Sequence, residues 1–170
     1  MSAFNLRDLT VLIVEDNFNF RFLLRNVLQA MGVGRIEEAA DGDAAFRLLS
    51  TIDCDLVITD WKMTPLDGIG LTRKLRTSDE SPNRFVPIIM ITGYSEQDRV
   101  FEARDAGVNE FLAKPLSAKA LWTRIATLIE RPRPFIRSEN YFGPDRRRRQ
   151  FDYDGPERRK GPAGEGEGRS

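Results

Sequence analysis

Five polar side chains stand at or just past the ends of apolar runs. Glu15 and Asp16 follow Thr10-Val-Leu-Ile-Val14, Asp60 ends Leu56-Val-Ile-Thr59, Thr92 closes the run from Val86 to Ile91, and Lys114 follows Glu110–Ala113. Three carboxylates brought together repel one another and cannot all stay ionised without a cation. An open cluster of hard oxygen ligands suits Mg2+, which keeps several waters and shares phosphoryl oxygens. An Asp beside such an ion can attack a phosphoryl donor and become an acyl phosphate. Lys114 would then hold one phosphoryl oxygen and the Thr92 hydroxyl another. Each of these residues alone is more often a solvated loop group; it is their joint placement that points to a phosphoacceptor. The chain has no histidine and a single cysteine, Cys54. That excludes His-assisted nucleophiles, argues against zinc, and leaves no internal disulfide, as in a reducing cytoplasm.

The elements that must carry these groups alternate. Strands are predicted at Thr10–Val14, Arg35–Ala40, Leu56–Thr59, Val86–Ile91 and Glu110–Ala113. Helices are predicted over Phe18–Met31 (stopped by Gly32), Asp43–Ser50, Gly68–Arg76, Glu96–Ala106 (closed by Gly107), and from the cap Ser117 to about Glu130. Five βα repeats with nearly continuous apolar strands imply an α/β fold, a doubly wound five-stranded parallel sheet covered by helices on both faces. Ligands of such sheets gather at the carboxyl ends of the strands, where the five polar residues lie.

Val14-Glu-Asp-Asn17, Thr59-Asp-Trp-Lys-Met-Thr-Pro-Leu-Asp-Gly68, Ile91-Thr-Gly93 and Phe111-Leu-Ala-Lys-Pro115 together resemble the motif set of CheY-like response regulator receivers, a flavodoxin-like fold, over about residues 8 to 130. The resemblance makes Asp60 the phosphoacceptor and Glu15, Asp16 and Asp60 the metal carboxylates, with the backbone carbonyl of Lys62 as a further ligand. It also makes Thr92 and Phe111 the switch pair, Lys114 the phosphate-binding lysine, and Lys114–Pro115 a cis peptide. Phe111 lacks the hydroxyl often found at its position, and Glu15 stands where many members have Asp. Asp53-Cys-Asp55-Leu-Val57 has the pattern of a dehalogenase-type phosphatase nucleophile, but it precedes a strand instead of following one and is set aside. Trp61 and Met63 read as loop packing and Cys54 as a small core or edge residue.

A net charge of zero conceals a split: 15 basic and 19 acidic residues lie up to Glu130, 11 and 7 beyond it. Three regions follow: a receiver over 1–130, an arginine-rich segment over 131–160 opening on Arg131-Pro-Arg-Pro134, and a Gly/Glu-rich end over 161–170 expected to be disordered. Inside the tail, Tyr141-Phe-Gly-Pro-Asp-Arg-Arg-Arg148 aligns with Tyr153-Asp-Gly-Pro-Glu-Arg-Arg-Lys160. Such a tail could be a solubility extension or could bind nucleic acid through its arginines and aromatics. The acidic residue at the same place in each repeat weighs against nucleic acid. A third reading is nucleotide recognition. Arg donates bidentately to guanine O6/N7, a carboxylate accepts from its opposite edge, and aromatic rings stack on the base. Tyr141, Asp145, Arg146, Arg147, Arg148 and Arg149 form one such set, and Tyr153, Glu157, Arg158 and Arg159 a second. Two equivalent sets fit a ligand with two guanines and two phosphates, cyclic di-GMP.

The tail is similar to that of the alphaproteobacterial CheY-like cyclic di-GMP effectors (Cle proteins), receivers with an arginine-rich segment after the last helix. That likeness implies a non-enzymatic cytoplasmic adaptor at the flagellar base that docks on the flagellar motor switch protein and controls motility or attachment. A sensor histidine kinase or phosphotransfer protein would phosphorylate it, and the tail would fold around its ligand. The rival is a stand-alone phosphorelay receiver whose tail only tethers. No run of about 20 apolar residues suggests membrane insertion, the first residues do not resemble a signal peptide, and forty tail residues are too few for a DNA-binding output domain.

Overall fold

The computed structural model describes residues 5–93 and 98–147. A short 3-10 turn (Leu6–Asp8) leads into β1 (Thr10–Val14), followed by α1 (Phe18–Ala30), β2 (Arg35–Ala39), α2 (Gly42–Leu49), β3 (Leu56–Asp60), α3 (Gly68–Thr77), β4 (Ile88–Thr92), α4 (Val100–Ala106), β5 (Glu110–Ala113) and α5 (Ala118–Glu130). The five strands form one parallel sheet in the order β2-β1-β3-β4-β5.

Side-chain alternation sorts the strand residues between two apolar layers. Leu12, Val14, Val57, Ile88 and Met90 face Phe46, Leu71, Leu75 and Ala103 of α2, α3 and α4. Val11, Ile13, Ile58, Ile89 and Ile91 face Leu24, Leu28, Leu121 and Ile125 of α1 and α5. Central strands buried on both faces must be largely apolar, and β3 and β4, buried at every position, turn polar only at their carboxyl ends, Thr59-Asp60 and Thr92. The edge strand β2 needs only one covered side and carries Arg35, Glu37 and Glu38. Fully burying one of these branched side chains stabilises by about 1.5–3 kcal/mol. Four helices start on side-chain caps: Asn17 accepts from the Phe20 amide, Asp41 from Ala44, Asp67 from Gly70 and Ser117 from Ala120. The predicted start of the fourth helix, at Glu96, lies outside the described residues.

Beyond α5 the chain departs from the expected unstructured tail. Phe135–Ser138 (β6) and Tyr141–Pro144 (β7) form an antiparallel hairpin. It packs against α3 and α4 at the amino ends of the strands. Phe85 meets Phe135 and Phe142 edge to face, and those two rings are tilted against each other, with centroids 5.2–5.7 Å apart. The guanidinium of Arg76, 1% exposed, lies 4.9 Å from the Phe135 ring. It donates to the carbonyls of Gly107 and Arg84 and to Asn109 Oδ1 at 2.9–3.1 Å. Gly143 sits so close that an added Cβ would meet the Tyr141 hydroxyl at 2.6 Å and the Gly107 Cα at 3.1 Å. The linker is held too: Arg133 reaches the buried Glu110 at 3.5 Å. The expectation of a segment unfolded until it meets a ligand therefore fails for 135–144, because aromatic packing and Arg76 give those residues a surface to fold on.

Candidate functional site

Three strand ends and one loop converge on a single acidic pocket. The parallel register sets Val14 beside Thr59, Asp60 beside Ile91, and Thr92 beside Ala113. The residues that follow therefore emerge at one level. Glu15 is 1% exposed and Asp60 7%, while Asp16 faces solvent. Carboxylate oxygens of these three lie within 4.8 Å of one another. Gly68 lets α3 approach this level, since an added Cβ would meet the Asp60 carbonyl oxygen at 2.3 Å.

The hydrogen bonds leave the charge uncompensated. Asp60 Oδ1 accepts from the Trp61 amide at 2.9 Å, and Glu15 Oε1 from the Asn17 amide at 3.0 Å. Glu15 Oε2 is buried without a hydrogen-bond partner among the described residues. Lys114 Nζ stands 3.4 Å from Asp60 Oδ1 and 4.0 Å from Glu15 Oε2. It also lies over the Phe20 ring, 4.4 Å from its centroid. Burial pushes the Glu15 carboxyl up to about 8, the charge of Asp60 adds to this, and the Asn17 amide and Lys114 oppose it. An orphaned buried oxygen and an all-oxygen donor set fit Mg2+ better than a softer ion.

The switch residues named from sequence lie on the two strands beyond Asp60, β4 and β5. Thr92 is 3% exposed at the end of β4. Phe111 is partly buried opposite Met90 and packs on the layer beneath α3 and α4. Lys62 is exposed in the loop after β3, and Lys114–Pro115 is cis. Met63 is buried, as loop packing implies. Cys54 is half-buried with its thiol pushed up to about 11, chiefly by burial. Sequence reasoning missed one contact. Arg99, just before α4, stacks its guanidinium 5.4 Å from the ring of Trp61, which is only 2% exposed. The residue after Asp60 is thus tied to the approach to α4; a Trp next to the nucleophile was the available signal.

The tail residues divide. Tyr141 is 8% exposed and its hydroxyl donates to the Pro144 carbonyl at 2.6 Å. Arg146 lies 4.4 Å over the Tyr141 ring and pairs with Asp105 of α4 at 2.7 Å. Asp145 accepts from the Arg147 amide, and Arg147 is exposed. Arg148, Arg149, Tyr153, Glu157, Arg158 and Arg159 lie outside the described residues. The two candidate sites are at opposite ends of the sheet, with α4 running between them.

The response regulator receiver domain model matches residues 11–126. This chain belongs to the response regulator receiver family. The receiver is similar to chemotaxis protein CheY-3 of Vibrio cholerae, 34% identical over 131 residues, covering 77% of this chain and 99% of that protein. It is also 34% identical to chemotaxis protein CheY of Pseudomonas aeruginosa, over 71% of this chain and 96% of the relative. Among solved structures, the receiver resembles the receiver domain of the sensor histidine kinase PA1611 of Pseudomonas aeruginosa, which holds a magnesium ion coordinated in its active site cleft. The TM-score is 0.64 at 30% identity, over 72% of this chain and 98% of that one. A response regulator from Chloroflexus aurantiacus gives 0.66 at 28% identity, over 72% and 98%.

Proposed function

We propose that this receiver is a two-input signalling adaptor, phosphorylated on Asp60 and binding cyclic di-GMP through its arginine segment. The phosphorylation half rests on Lys114 Nζ standing 3.4 Å from Asp60 Oδ1 beside a carboxyl cluster with an orphaned oxygen. An Asp60 oxygen attacks the phosphorus of a phosphorylated kinase or phosphotransfer protein, the bond to the donor breaks, and an acyl phosphate forms on Asp60. Lys114 pairs with one phosphoryl oxygen and the Thr92 hydroxyl donates to another. Mg2+ held by Glu15, Asp16, Asp60 and the Lys62 carbonyl would supply positive charge for the transferred group. No turnover reaction is ascribed to the chain.

Movement of Thr92 and Phe111 would be read on the face of α4, β5 and α5, where Phe101 is 67% and Trp122 41% exposed. Such apolar groups suit a protein target. By analogy with the chemotaxis relatives, that target is a flagellar motor switch protein, which implies a cytoplasmic protein at the flagellar base. No helix among the described residues is long and apolar enough to cross a membrane. Cyclic di-GMP is supported by the repeated Tyr-x-Gly-Pro-acid-Arg-Arg sequence and by the exposed Arg147 beside Asp145.

A stand-alone phosphorelay receiver remains the second reading. It is favoured by Phe18 and Phe22, stacked 6.2 Å apart and 66% and 55% exposed beside the pocket. Calorimetric titration of cyclic di-GMP into the full-length chain separates the two. Micromolar or tighter binding lost in Arg147→Ala or Arg159→Ala establishes the effector, and no heat leaves the relay. Point variants serve better than a chain ending at Glu130, which would strip the cover from Arg76 and Phe85.

A further inference from the structure

We propose that Asp105 is an internal competitor for the anionic ligand of the tail, its carboxylate holding Arg146 where a ligand phosphate would otherwise sit. This rests on the arginine segment binding an anion, and it adds a residue of the receiver body to that site. The guanidinium of Arg146 is gripped from two sides: the Tyr141 ring lies 4.4 Å below it and Asp105 Oδ1 accepts from it at 2.7 Å. Tyr141 is itself closed off, with its hydroxyl on the Pro144 carbonyl and Gly143 packed beneath. Tyr141 and Arg146, the ring and the first guanidinium of the first repeat, are therefore engaged with one another and with α4.

The competitor is sized to be displaced. The Arg146 and Asp105 side chains are 43% and 56% exposed, and an exposed pair contributes under about 1 kcal/mol. A phosphodiester can accept two parallel guanidinium hydrogen bonds and would also repel the Asp105 carboxylate. Anion binding therefore releases Asp105. This loosens the carboxyl end of α4, next to Gly107 and the buried Arg76. Ligand binding and the grip on α4 oppose each other, and by linkage whatever shifts α4 alters ligand affinity.

The test is calorimetry of cyclic di-GMP with the full-length protein, Asp105→Ala and the charge control Glu139→Ala, which alters an exposed residue of the hairpin turn. Removing a competitor worth up to about 1 kcal/mol should tighten binding roughly two- to five-fold in Asp105→Ala, with Glu139→Ala like wild type. Unchanged or weaker binding in Asp105→Ala, or an equal gain in Glu139→Ala, overturns the proposal. If no variant binds cyclic di-GMP, the nucleotide reading falls. Competition is then read with inorganic pyrophosphate, followed by the Arg146 Nε–Hε resonance. A shift at several-fold lower pyrophosphate in Asp105→Ala supports it, and identical titrations in both proteins overturn it.

Discussion

At the carboxyl ends of the strands, Glu15 keeps a buried oxygen without a hydrogen-bond partner among the described residues, and Lys114 is shared between two carboxylates. At the amino ends, Arg76 has three acceptors, Arg133 has Glu110 and Arg146 has Asp105. The upper site is electrostatically incomplete, so it draws in a cation and a phosphoryl group. The lower one closes on itself, so a ligand must first take something away. Binding is expected to be built on a deficit at one end of the sheet and on exchange at the other.

The largest effect that would break this contrast is total. Asp60→Asn should abolish labelling by acetyl phosphate, read as a hydroxylamine-sensitive mobility shift on a phosphate-affinity gel; residual labelling would place the acceptor elsewhere. Next is Arg76→Ala, which leaves buried acceptors at Gly107, Arg84 and Asn109 without their donor. It should cost about 3 kcal/mol in urea unfolding; a loss well below 1 kcal/mol would mean that the lower end has no such closed network.

A smaller effect concerns protons. Because Glu15 is raised from 4.5 to about 8, its neutral form is the one favoured by folding. The associated stability is fully present below pH 4.5 and is lost progressively as the pH rises through about 8. Mg2+ must displace that proton, so its affinity should climb across the same window. Calorimetry at pH 6.5 in two buffers of different ionisation enthalpy should show close to one proton released, falling toward none at pH 9; no buffer dependence would contradict a protonated Glu15. The smallest effect is at the edge. Arg35→Ala removes an exposed pair with Glu37 and should change stability by less than about 0.5 kcal/mol.

The upper site was legible because strand periodicity and the spacing of short motifs place Glu15, Asp60, Thr92 and Lys114 without any knowledge of side-chain contacts. Gly32, Gly107 and Ser117 also marked their helix ends correctly. The lower site was not legible, because its partners are distant in sequence. Arg76 meets Phe135, Asp105 meets Arg146, and Gly107 meets Gly143, and no local period announces such pairs. Phe135-Ile136 and Tyr141-Phe142 are runs of two on either side of Glu139-Asn140, too short to mark strands in an arginine-rich stretch. Tyr141 looked like a stacking ring for a base, whereas its near-complete burial gives it a structural role first.

The close approach of Gly143 to Gly107 bears on how freely this tail could be moved between proteins. A graft onto another receiver would need the small residue on which Gly143 rests, an arginine in the place of Arg76, an aromatic in the place of Phe85 and a carboxylate in the place of Asp105. Without them the transplanted segment would arrive without its socket. The arginine segment and the body beneath it are thus bound to change together, and a chimera that swaps only the residues after Glu130 would carry the sequence of the tail without its shape.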